Sequence, residues 1–123
     1  MFQYQAEVLR VIDGDTLELM IDLGFNVYVR ELVRLAHINT PDELKYGLHG
    51  VEDPAKDFIM QRCPPGAVCI VNISRREKYG RWLADIYYLR GSIERSDITT
   101  KGTNLNQELI SAGLAQPYEG GKK

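Results

Sequence analysis

The stretch Val11-Ile12-Asp13-Gly14-Asp15-Thr16-Leu17-Glu18-Leu19-Met20 constrains the fold more than any other, because it sets a tight acidic turn between two β-forming runs. An Asp-Gly pair between alternating apolar residues is a strong hairpin signal, since Gly takes positive φ without penalty and Asp tolerates it. The turn therefore holds two carboxylates at the rim of a sheet. Asp15, where the second strand begins, is aimed rigidly, as a metal ligand or reacting group requires. On turn chemistry alone the same residues are an ordinary turn. What separates the two readings is the rest of the chain.

Around this hairpin the chain reads in order as strands first and helices later. Gln5 to Ile12 and Thr16 to Asp22 pair, Leu23-Gly24 turns, and the β-branched run from Phe25 to Ile38 predicts one long third strand. Asn39-Thr40-Pro41-Asp42-Glu43 ends it, because Pro lacks a ladder donor. Leu44 to Gly50, with two glycines and no periodicity, is expected to be a mobile loop. Asp53 caps a helix with Pro54 at its first position, and Pro64-Pro65 stops it.

Val68 to Ile73 and Trp82 to Leu89 are the fourth and fifth strands, joined by the basic turn Ser74 to Arg81. Gly91 to Gly102 reads as an irregular, exposed excursion. A second helix starts near Asn104, with Gln107 at the capping-box position, Leu105 and Leu109 on one face and Gly113 as a left-handed stop. Leu114 to Tyr118 trails into Glu119-Gly120-Gly121-Lys122-Lys123, which lacks apolar content and is expected to fray. The sum is an α+β, mainly β chain: one domain over residues 1–123, built as a five-stranded, partly open Greek-key barrel with two packed helices.

Composition removes several classes of function. A formal charge of −2 and a pI near 5.7 argue against adhesion to nucleic acid through a broad basic face. They leave room for a local one, because Arg75, Arg76, Lys78 and Arg81 fall within seven residues. No apolar run reaches membrane-spanning length, and the first residues lack a signal pattern. The expected location is intracellular, unless a signal has been removed. Cys63 and Cys69 are too few for a zinc site and read as reduced, partly buried thiols, with a loop-closing disulfide across Pro64-Pro65-Gly66 as the alternative.

Three motifs stand in order: Val11-Ile12-Asp13-Gly14-Asp15-Thr16, Arg34-Leu35-Ala36-His37-Ile38-Asn39-Thr40-Pro41-Asp42 and Lys78-Tyr79-Gly80-Arg81-Trp82-Leu83-Ala84. With Leu109-Ile110-Ser111-Ala112-Gly113-Leu114-Ala115, they make the chain resemble the staphylococcal nuclease (thermonuclease) family over nearly its whole length. The resemblance implies an OB-fold barrel and calcium-dependent hydrolysis of DNA and RNA phosphodiesters that leaves 3′-phosphate ends. It implies Asp15 as a carboxylate ligand of one calcium ion, with the Thr40 carbonyl and Asn39 as further ligands. Arg34 and Arg81 would grip the scissile phosphate. Lys78 and Tyr79 would line the nucleotide pocket, where Tyr118 could stack on a base. Asp42 would position or deprotonate the attacking water. The expected substrate is single-stranded DNA or RNA, handled by a monomer with no membrane contact.

The chemistry accounts for these residue types. Extra negative charge builds on the phosphoryl oxygens as water attacks in line, and paired guanidinium donors match that geometry better than Lys does. Calcium accepts oxygen ligands in flexible number.

The match departs from the family pattern at two positions. Asn39 stands where the pattern has Asp, and Asp42 where it has Glu. A neutral amide ligand predicts weaker calcium binding. The shorter acid retracts by about one methylene, and misplacement of about 1 Å can cost about a hundredfold in rate. Glu43 is the longer acid that a one-residue loop shift would bring to the water. The chain also ends soon after its second helix. The alternative function is a catalytically quiet module on the same barrel that binds nucleic acid or protein through Arg34, Lys78, Tyr79 and Arg81.

Overall fold

The computed structural model of the chain describes residues 2–41 and 54–118. Its strands are β1 (Phe2–Asp13), β2 (Thr16–Gly24), β3 (Val27–Leu35), β4 (Ile38–Asn39), β5 (Val68–Arg76), β6 (Trp82–Tyr88), β7 (Thr103–Asn104) and β8 (Gln116–Pro117). Its helices are α1 (Pro54–Arg62), α2 (Arg95–Lys101) and α3 (Leu105–Ser111). Strands run in the order β3-β2-β1-β5-β6, and a parallel seam of Val33, Arg34 and Leu35 against Trp82, Leu83 and Ala84 joins the two ends. The five strands are thereby closed into a barrel with the OB-fold that the sequence predicts.

Alternation fills the barrel. Leu17, Leu19 and Ile21 of β2, Val33 and Leu35 of β3, and Ala84 and Ile86 of β6 all point inward and are buried. In β1 a register shift between Val8 and Arg10 inserts an extra residue, which lets Val8 and Val11 both face the core although three positions apart. Ala55 and Ile59 of α1 and Leu105 and Leu109 of α3 are buried against it. Each full burial of a Leu or Ile side chain contributes about 1.5–3 kcal/mol.

Three expectations need correction. The β2–β3 turn is Phe25-Asn26, not Leu23-Gly24: both residues have positive φ, at 57° and 62°, as a two-residue hairpin turn of the primed kind requires. Phe is a poor left-handed residue, so its apolar character disguises the turn as strand. The single long strand from Phe25 to Ile38 is two, because His37 at φ 68° breaks it between β3 and β4.

The excursion from Gly91 to Gly102 contains α2, whose Ile98 is fully buried, so the described residues hold three helices rather than two. The segment after α3 is pinned as far as Tyr118, and Glu119 to Lys123, expected to fray, lie outside the described residues. Strand β8 pairs with β4, and the Tyr118 N–H donates to the His37 carbonyl at 2.8 Å. A two-residue strand is too short to leave a periodicity in sequence.

The expectations for the last helix hold. Asn104 caps α3 by accepting from the Gln107 N–H at 3.1 Å, and Gly113 follows at φ 77°. Both cysteines are free and buried, and no disulfide joins them. The mobile loop from Leu44 to Gly50 and the Asp53 cap lie outside the described residues. Among the described residues no helix is long and apolar enough to cross a membrane.

Candidate nucleic-acid and metal site

Construction of the site begins at the β1–β2 turn. The Asp13 carboxylate accepts from the Asp15 N–H at 3.0 Å, which closes the turn on itself. Gly14 has no positive φ; it is there for space. A Cβ at this position would lie 2.7 Å from the Ala55 Cβ and 2.9 Å from the Thr40 Cγ2. The turn is therefore clamped between α1 and the segment after β4. Thr40 completes the clamp by donating its hydroxyl to the Gly14 carbonyl at 2.9 Å. On the other side the Leu35 N–H donates to the Asp15 carbonyl at 2.8 Å, so the end of β3 is tied to the same turn.

This packing buries Asp15, Thr16 and Thr40 to 1%, 3% and 1% exposure. A carboxylate is seldom sunk so deep without partners. Asp15 accepts from the Thr16 hydroxyl at 3.0 Å through Oδ1, and its Oδ2 lies 3.7 Å from Arg34 Nη2. Arg34 is opposite Thr16 in the β2–β3 ladder, which brings its guanidinium over the turn. The same Nη2 donates to Asn39 Oδ1 at 3.4 Å, so one nitrogen has carboxylate and amide oxygens within 3.7 Å. Arg34 also stacks over the Tyr118 ring at 5.7 Å, a contact that exists because β8 holds the tail.

Arg81 arrives from a different part of the chain. The Glu77 N–H donates to the Arg81 carbonyl at 2.8 Å and the Gly80 N–H to the Glu77 carbonyl at 3.0 Å, with Gly80 at φ 97°. Lys78-Tyr79-Gly80 is thus a three-residue hairpin loop with Gly at its left-handed position. Its two ends, Glu77 and Arg81, face one another. The guanidinium is paired bidentately with Glu77 through Nε and Nη2, and its Nη1 donates to the Thr16 hydroxyl at 3.1 Å. Hydrogen bonding to Glu77, ahead of the nearby charges of Glu77, Asp15 and Asp13, raises the Arg81 pKa above its ordinary value.

Thr16 is the link. It accepts from Arg81 and donates to Asp15, which neighbours Arg34, so the two arginines are coupled through one hydroxyl and one carboxylate. Arg34, Lys78, Tyr79, Arg81 and Tyr118 all line a single cleft of about 510 Å³. Arg75, Glu77 and Leu83 complete its wall. The roles of Thr16 and Glu77 were not apparent from the sequence. Glu77 is hidden as the one acid within the basic turn and Thr16 as the first residue of β2, and each acquires its role only through its partners across the fold.

The structure thus brings together Asp15, Arg34, Asn39, Thr40, Lys78, Tyr79, Arg81 and Tyr118; Asp42 and Glu43 lie outside the described residues. Among the described residues no three His, Cys, Asp or Glu side chains cluster as a metal cage. The oxygen groups near the turn include the Asp13 and Asp15 carboxylates and the Asn39 amide, with Thr40 tied to the turn through its hydroxyl. Such a set suits a hard cation that keeps part of its water shell.

A closed OB barrel with a basic cleft beside a buried acidic turn defines the class of protein. The chain belongs to the staphylococcal nuclease homologue family, whose model matches residues 32–123. It is 31% identical over 115 residues to an "Uncharacterized endonuclease" of Escherichia coli O157:H7, covering 93% of this chain and 61% of that protein. It is 26% identical over 125 residues to "Endonuclease YhcR" of Bacillus subtilis (strain 168), covering 94% of this chain and 9% of that one. The chain spans about three-fifths of the length of the Escherichia coli relative.

Proposed function

We propose that this chain is a calcium-dependent nuclease that hydrolyses phosphodiester bonds of single-stranded DNA or RNA and leaves 3′-phosphate ends. The observation that carries the reading is the convergence of Arg34 and Arg81 on one cleft, coupled through Thr16 and Asp15. Membership of the family and the endonuclease names of the relatives support the reaction class.

In this reading the scissile phosphate sits between the two guanidiniums. Lys78 and Tyr79, the latter 76% exposed, meet the nucleotide, and Tyr118 offers a base a stacking face. Asp42 would position or deprotonate the water. Calcium, held by Asp15, Asn39 and the Thr40 carbonyl, would supply further positive charge for the phosphoryl oxygens. The guanidiniums do not suffice alone, because Asp15 stands beside Arg34 and Glu77 beside Arg81, which leaves these four side chains with no net charge.

The test is incubation of labelled single-stranded oligonucleotide with calcium or with chelator. Cleavage is expected with calcium only, with ends that a phosphatase renders extendable, and is expected to vanish in Arg34→Ala and Arg81→Ala. Equal digestion by both variants would refute the site. One observation favours a second reading: the neutral amide of Asn39 beside Arg34 weakens the cation site, which suits a module that binds without cutting. A mobility shift with no cleavage in calcium would select it.

A further inference from the structure

Resting on that reading, we infer that Glu77 is the positioning residue of Arg81, fixing which edge of the guanidinium meets the phosphate. A guanidinium carries five N–H groups. Glu77 takes the one on Nε and one on Nη2, and Thr16 takes one on Nη1. One N–H on each terminal nitrogen remains, and the cleft is where Arg81 is open, its side chain 30% exposed.

The hairpin supplies the partner by construction. Because Lys78-Tyr79-Gly80 closes with the Glu77 N–H donating to the Arg81 carbonyl and the Gly80 N–H to the Glu77 carbonyl, Glu77 lies across from Arg81, and its own side chain is only 15% exposed. An arginine on a hairpin stem otherwise loses much rotamer freedom on binding. Here that cost is met in the free protein: Glu77 on one edge and Thr16 on the other leave one orientation. The carboxylate also balances the guanidinium charge, so Arg34 and Arg81 can share one cleft.

The inference separates from a rival in which Glu77 competes with phosphate for Arg81. In the positioning case Glu77→Ala lowers kcat about ten- to a hundredfold. KM for a single-stranded oligonucleotide stays level or falls, because a negative charge leaves the cleft. Glu77→Gln, which keeps one accepting oxygen, recovers part of kcat. In arginine side-chain ¹⁵N spectra the Arg81 Nε signal holds its carboxylate-bonded position when a nucleoside 3′,5′-bisphosphate is added.

An unchanged or higher kcat in Glu77→Ala, or a bisphosphate-induced move of the Nε signal toward that of a free arginine, would overturn it. Circular dichroism confirms that each variant folds. A parent chain that neither cleaves nor binds the bisphosphate refutes the nuclease reading and the inference with it. A parent that cleaves while Glu77→Ala cleaves equally well refutes the inference alone.

Discussion

Asn106 is the side chain whose removal tests how the site is held. It is fully buried, and its amide donates to the Ala36 carbonyl at 2.9 Å and the Ala84 carbonyl at 3.0 Å while accepting from the Ile86 N–H at 3.2 Å. These bonds fasten α3 to β6 and to the end of β3, beside the seam where Arg34 pairs with Leu83. Asn106→Ala strands the Ile86 N–H, at about 1–3 kcal/mol, and removes a donor from each of two carbonyls, at about 0.5–1.5 kcal/mol apiece. The Ala84 carbonyl keeps the Ala36 N–H at 2.8 Å, which limits its share. The expected loss is about 3–4 kcal/mol, a large part of the stability of a small domain. For a chain this size that lowers Tm by about 12–16 °C. Urea and thermal unfolding followed by circular dichroism measure it. A loss below about 1 kcal/mol would refute the argument. Asn106→Asp keeps the acceptor but sets a charge against two carbonyls, which raises its folded pKa. Its stability is therefore expected to recover as pH falls toward the unfolded value of about 3.9.

Gly14→Ala forces a methyl against Ala55 and Thr40, and an overpacking loss of about 1–3 kcal/mol is expected in urea unfolding, with weaker calcium binding by titration calorimetry. Burial pushes the Cys63 thiol from 9.0 up to about 12, burial and then the Glu108 hydrogen bond push Tyr88 to about 12, and burial raises Cys69 as well. Raised folded pKa values of acids stabilise below the unfolded values. Stability is thus expected to fall as pH rises from about 9 to about 12, and native protein at pH 8 should resist a thiol reagent that labels the urea-unfolded chain. Asn39→Asp combined with Asp42→Glu should raise calcium affinity and turnover; no gain in either would mean that the loop does not follow the family arrangement. Arg81→Lys should fail to restore cleavage lost in Arg81→Ala, because an ammonium cannot hold Glu77 and a phosphate on two edges at once.

The barrel was legible because most positions in its strands obey a period of two. The β1–β2 hairpin, the Asn104 cap and the Gly113 stop are where the sequence indicates, although the turn residues are Gly14-Asp15 and not Asp13-Gly14. Legibility failed where a local rule was overridden by contacts from afar. Phe25 occupies a left-handed turn while fully exposed, which no propensity favours. Helix α2 holds its place through the one buried residue Ile98, too little for a periodic signal. Even Gly14 was correctly singled out for the wrong reason, since closeness to Ala55 and Thr40, not φ, excludes a side chain. At the site, the residues with unmistakable chemistry were readable from motif order. Thr16, Glu77 and Asn106 were not, because a hydroxyl, a carboxylate and an amide become specific only when the ladder has chosen their neighbours.

On the proposed function, charge explains how an acidic chain would still receive a polyanion. On the proposed reading Asp15 and Glu77 balance Arg34 and Arg81, and an aspartate at position 39 would tip the group to a net negative value. With Asn39 the group is neutral, and Arg75 and Lys78 on the same cleft make the surroundings positive. The amide that weakens cation binding therefore lowers the repulsion that phosphate meets. Cation affinity and substrate affinity move in opposite directions at this one position. Asn39→Asp alone should consequently bind calcium more tightly, yet bind oligonucleotide less well in chelator, and a variant that gained in both would break the link between the two.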